Sequence, residues 1–163
     1  MSHISRVVAT RLAAALADRR WRCWGNTKVD VQMRRKPDYG LEDLGTLLVS
    51  VVPGPVAFTT ETRTMEVAEV TVGIVVAKHV ASDADIATLE DFEQEICDAI
   101  RSNAIVLTSV PTETDWTEIA NPVPYDPESL ETRNVFLGQV TVTYKVPLDR
   151  DFTLQEPATG PTG

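Results

Sequence analysis

The sequence predicts an α/β (α+β) domain: a single mixed, largely antiparallel β-sheet of about four strands with two helices packed on one face, in the order α-β-β-β-α-β. Three observations carry that expectation. Apolar residues recur at helical spacing in two separated stretches, strand-like runs occupy the chain between and after them, and Gly or Pro clusters fall at several junctions. At 163 residues the chain is long enough for one domain with a real core.

Ile4, Val7, Val8, Leu12, Ala15 and Leu16 form the first helical stripe, in an Ala-rich stretch of high helix propensity that ends near Arg20. Arg11 intrudes at its edge. Gly25-Asn26 marks a turn, after which Val29, Val31 and Met33 alternate with polar neighbours as a half-buried strand. Residues 37–45 read as a polar connection. "TLLVSVVPGP" gives a second strand, apolar on both faces around Leu47, Val49 and Val51 and stopped by Pro53-Gly54-Pro55.

The third strand is "TRTMEVAEVTVGIVVAKHV", Thr62 to Val80. Its apolar parity changes from Met65 and Val67 to Val70, Val72, Ile74 and Val76, so a flat strand would have its inner face switch sides. A bulge near Ala68-Glu69 resolves the change, as would a different partner for each half. "TLEDFEQEICDAIRSN" follows with Thr88 three residues before Asp91, an approximate capping box, and Leu89, Phe92, Ile96, Cys97 and Ile100 on one face. "VPTETDWTEIANPVPYDPESLETRN" reads as a long excursion with little regular structure, and "GQVTVTYKV" as the last strand. The domain is expected to span 1–148, with 149–163 a mobile tail.

A net charge of -9 argues against a surface that grips duplex DNA. Arg34, Arg35 and Lys36 remain a possible basic contact segment, beside which Trp21, Trp24 and Trp116 read as core or interface anchors rather than base-stacking platforms. Cys23 and Cys97 lack metal-ligand spacing and read as reduced thiols. No signal sequence or membrane span is legible, which predicts a soluble protein of a reducing compartment. His3 and His79 have no nucleophile motif beside them, and Gly-rich phosphate signatures are missing. A calcium loop starting at Asp83 and Asp85 would need Gly and Glu where Thr88 and Gln94 stand. Asp91, Glu95 and Asp98 fall on the helix face opposite the apolar stripe, as a solvated face does. Glu93 falls inside the stripe, either at the core edge or paired with a cation such as Arg11 or Arg63, in a structural or intersubunit role. These readings predict no catalytic, cofactor or metal site, and no enzyme.

The surplus of apolar sheet surface is then the informative feature. A sheet with helices on one side leaves a second face, and the parity around Val70–Val76 predicts that this face is not solvated. Another copy of the chain covers it most economically, making Arg63, Val70, Val72, Ile74, Val75, Val76 and Glu93 the candidate assembly residues.

The N-terminal helix, "KPDYGLEDLGTLLVSVVP", Thr62-Arg63, "DIATLEDFEQEICDAI" and "YDPESLETRNVFLGQVTVTYKVPL" together resemble the tail terminator, or tail completion, proteins of tailed bacteriophages, over roughly residues 4–148. The resemblance implies a small α/β subunit, usually in a hexameric ring, that caps the tail tube, stops its polymerisation and provides the head-docking surface. It implies as partners the chain itself, the tail tube protein and a head-tail connector or stopper. It further implies that DNA is only passing cargo, that no membrane and no cofactor is involved, and that the location is the virion, with host cytoplasm during assembly. Head-closure or stopper proteins of the neck use similarly small subunits and are the alternative, ahead of a small ligand- or nucleic-acid-binding domain.

Overall fold

The structure, a computed structural model, describes residues 3–35, 45–60, 65–111 and 113–149. Among these residues the chain forms three α-helices and seven strands in a mixed α+β arrangement, rather than two helices and about four strands. Helix α1 (Ile4–Asp18) leads into a ribbon of β1 (Arg20–Trp21) and β2 (Thr27–Lys28), with a 3-10 turn, Arg22–Trp24, between them. Then come β3 (Val31–Met33), β4 (Leu48–Thr60), β5 (Met65–His79), α2 (Asp83–Arg101), β6 (Asp115–Val123), α3 (Pro127–Arg133) and β7 (Val135–Asp149). The main sheet has the order β3-β4-β5-β7-β6, in which only β3-β4 is parallel.

Three expectations need correction. Pro53-Gly54-Pro55 does not stop the second strand, because β4 continues to Thr60 with its register shifted between Pro53 and Val56. The irregularity therefore lies in β4, while β5 pairs with β7 without a break from Met65↔Asp149 to His79↔Val135. The fully buried Ala68 keeps the even parity that the larger residues seemed to lose. Second, the supposed irregular excursion contains β6 and α3, the latter capped by Asp126, whose side chain accepts from the Ser129 amide at 3.3 Å. Third, α2 starts at Asp83 under a Ser82 cap, so Thr88 lies inside the helix, bonded back to the Ala84 carbonyl at 3.0 Å.

The core lies between the helices and the even face of β5. Val8, Leu12 and Leu16 of α1 and Leu89, Phe92, Ile96 and Ile100 of α2 join Val70, Val72, Ile74, Val76, Val140 and Val142 in one cluster. Trp21 closes one end. Its indole is buried, donates to the Leu16 carbonyl at 3.3 Å, and meets Phe92 edge-on with ring centroids 5.4 Å apart. Such a pair adds ~0.5–1.5 kcal/mol beyond its area burial. Trp24 packs edge-on against Phe92 from a second side, at 5.6 Å.

Glu95 fixes the 3-10 turn to α2. Its carboxylate accepts from the backbone N–H of Arg22 at 2.9 Å and of Cys23 at 3.0 Å, so this residue does not belong to a purely solvated face. Burial raises its pKa, but the bonds from Cys23 and Arg22 outweigh it and hold the carboxyl below its usual value. The Cys23 thiol is pushed up to about 12, by burial first and then by Glu95. It stays protonated and a weak nucleophile. Burial likewise raises Cys97.

Candidate functional site

The four residues placed by parity on one face of the long strand, Val70, Val72, Ile74 and Val76, have no exposed surface. They lie under the helices. As candidate assembly residues they are therefore corrected, because the even face of β5 is the core face. Val75 points to the other face and is 8% exposed. Arg63 and Lys36 lie outside the described residues.

That second face is built from three central strands in register. Thr71 and Thr143 stand directly opposite each other with hydroxyls 3.0 Å apart, and the Gln139 amide lies so close over Gly73 that a Cβ there would sit 2.6 Å from its nitrogen. Towards the end that leads into α2, Ala77 and Val135 form a small apolar cluster with Leu48 and Leu137. Among the described residues no helix side chain joins this cluster. The face is thus polar along its middle and apolar at one end.

The long strands also exceed either long helix in length. At about 3.3 Å per residue, the 15 residues of β5 and of β7 reach roughly 50 Å, whereas at about 1.5 Å per residue the 19 residues of α2 reach roughly 28 Å. The β4 bulge marks where α1 begins. Ser5 Oγ donates to the Gly54 carbonyl at 2.8 Å, and a Cβ at Gly54 would come within 2.2 Å of the Thr71 backbone oxygen. Past the bulge, Val56–Thr60 pairs with Glu66–Val70, and this end carries Phe58, which is 61% exposed on the same face as Ala68 and Val146. Sequence reasoning passed over Phe58 because the strand was taken to end before it.

Arg34 and Arg35 follow β3. The Arg34 amide continues the ladder by donating to the Val51 carbonyl at 2.9 Å. Arg35 lines a pocket of about 400 Å³ with His3, Ser5, Arg6, Pro53 and Gly54. The fold thus brings His3 and Arg6 beside the basic segment, a juxtaposition invisible in the linear sequence.

Glu93 is 1% exposed, and among the described residues neither carboxylate oxygen has a partner within 3.5 Å, the Asn121 side chain lying just near enough to act on it as a donor. It makes no ion pair with Arg11. It faces the start of β7 and the residues after β6: a Cβ on Gly138 would sit 2.2 Å from Glu93 Oε2 and 2.4 Å from the Pro124 carbonyl oxygen. Only a glycine leaves room for this carboxyl. Burial pushes its pKa up to about 8; the nearby Asn121 side chain lowers it and Glu90 raises it. At neutral pH the group is mainly the uncharged acid.

A second pocket of about 300 Å³ lies between residues 103–116 and Tyr144, whose hydroxyl is buried without a partner. The indole of Trp116 is fixed there by donating to Asn103 Oδ1 at 3.2 Å. Among the described residues no group of three or more His, Cys, Asp or Glu side chains gathers to hold a metal ion. No described helix is long and apolar enough to cross a membrane.

These features define an α+β sheet protein with one helix-covered face, a second face of mixed polarity and an exposed aromatic side chain, Phe58, on β4 beyond its bulge. Compared with known proteins, the sequence matches no family model and no curated protein.

Proposed function

We propose that the protein is a structural subunit of a tailed-bacteriophage neck or tail, assembling into a closed ring, most simply a hexamer, that caps the tail tube and offers the head-docking surface. The observation that carries this reading is Phe58, exposed on β4 beyond the bulge at Gly54. An exposed aromatic side chain on a sheet strand is surface suited to burial against another chain. The apolar corner of Ala77, Val135, Leu48 and Leu137 on the second face adds to it. The resemblance in the order of elements supplies the particular assembly, and the net charge of -9 suits a conduit that DNA passes without adhering.

The test is native mass spectrometry with electron microscopy of the purified protein, alone and mixed with tubes of a bacteriophage tail tube protein from the same genome. Rings at tube ends are the expected result, whether the free subunit is a monomer or already a ring. A two-fold dimer, or a monomer, that ignores added tubes would overturn the reading.

A further inference from the structure

We propose that Glu93 is a proton-operated latch: its neutral carboxyl lets Asn121–Asn134 close over α2, and loss of the proton drives that segment open. Such a latch is a property of the single subunit and is independent of assembly. Two sealed carboxylate oxygens with only the Asn121 side chain near enough to donate to them are tolerable in the uncharged acid and costly in the anion. The anion must find water or a cation. Among the described residues no cation faces it: on α2 the neighbours one turn away are Glu90 and Cys97, β6 contributes the amide of Asn121, and β7 contributes Gly138. On the 3-10 turn Arg22 is exposed and its charge acts on Glu95, and on α3 Glu128, Glu131 and Arg133 are exposed.

Water is reached most cheaply by local opening, which follows the weakest contacts. The β6–β7 register breaks between Ala120 and Val123, and Asn134 has the left-handed conformation, φ 54°, so the segment has a hinge at either end. Between them most residues are exposed. The segment is held by the Val123–Gln139 strand pair, the Asp126 amide on the Leu137 carbonyl and the Val80 amide on the Asn134 carbonyl, each at 2.8 Å, the tilted contact of Tyr125 with Phe136, and half-buried Leu130. Swinging it away removes the Pro124 carbonyl from beside the carboxyl.

Opening coupled to one proton fixes the shape of the response. Because the closed form holds its proton until about pH 8 and an open form releases it near 4.5, the open population rises about tenfold per pH unit between these values and then levels off. Hydrogen exchange of the full chain, read by mass spectrometry and corrected for the intrinsic pH dependence of exchange, measures it. Peptides covering Val123–Arg133 are expected to lose protection with that slope, peptides of β5 are not, and Glu93→Gln is expected to flatten the response. Equal slopes in parent and Glu93→Gln, or protection independent of pH in the parent, would overturn the proposal. A carboxyl-carbon NMR titration of Glu93 needs no variant; a midpoint near 4.5 would overturn it as well.

Discussion

Val72→Asp and Val75→Asp lie three residues apart on one strand and are expected to behave as opposites. Val72 has no exposed surface and sits between Pro53 of β4 and Val142 of β7 under the helices. Losing its burial costs ~1.5–3 kcal/mol, and a carboxylate in its place adds several more, whether the group stays charged or takes up a proton. The sum, ~5 kcal/mol or more, is comparable with the ~5–15 kcal/mol that holds a domain together. Val75 faces the second side, flanked in register by Ser50 and Gln139. An aspartate there has polar neighbours and a short path to water, so ~1–2 kcal/mol is the expected loss. With a urea slope of ~2 kcal/mol per molar, Val72→Asp shifts the unfolding midpoint by about 2 M or more, and Val75→Asp by under about 1 M. Circular dichroism in urea reads the fold and native mass spectrometry reads assembly. Val75→Asp should keep a native spectrum while weakening self-association. A folded Val72→Asp protein, or equal destabilisation by both, would refute the assignment of the two faces.

Glu93→Gln is expected to be nearly neutral at pH 4.5 and increasingly stabilising up to about pH 8, as measured by melting temperature relative to the parent. The sign follows from a raised folded-state pKa: stability is complete below the unfolded value of 4.5 and is lost as pH climbs to about 8, at no more than about 1.4 kcal/mol per pH unit. Gly54→Ala forces a Cβ onto the Thr71 carbonyl oxygen and should cost ~1–3 kcal/mol by thermal melting; an unchanged melt would mean that the bulge is not tight. Ending the chain after Leu148 removes one described strand pair, Met65↔Asp149, and should leave the circular dichroism spectrum native; loss of the fold would contradict the reading of 149–163 as dispensable.

The two long helices were legible because each carries a one-sided apolar stripe of the right period, and the central strands because they are dense apolar runs rich in β-branched residues. What parity did not say is which face of β5 the helices would take, so Val70, Val72, Ile74 and Val76 were assigned to assembly when they build the core. Strand β6 escaped notice because it is an edge strand with mostly exposed side chains, and Pro122 is tolerated there as it would not be in a central strand. The signals of α3 were present: Asp126 before Pro127 at the start and Asn134 in the left-handed conformation at the end. They lay in a Pro- and Thr-rich stretch with no apolar stripe to draw attention. Glu93 was placed in the apolar stripe by the helical wheel alone, but the lack of a cation beside it depends on contacts across the sheet.

Pro53-Gly54-Pro55 is the most instructive misreading, because the same three residues that look like a terminator let the strand continue. Proline cannot donate to a ladder and glycine adds no Cβ, so a regular strand is broken here. A bulge asks for such residues, since it leaves ladder groups unpaired and brings backbones close. Gly54 meets the Thr71 carbonyl at a distance no Cβ would permit, and its own carbonyl accepts from Ser5 at the start of α1. The helix layer is therefore tied to the point where β4 changes register. Beyond that point Val56, Ala68, Val70 and Val146 still pack into the core, so the even face stays covered on β5 and β7 while β4 carries Phe58 into solvent. The bulge therefore marks where β4, and not the whole sheet, turns a large apolar side chain outward.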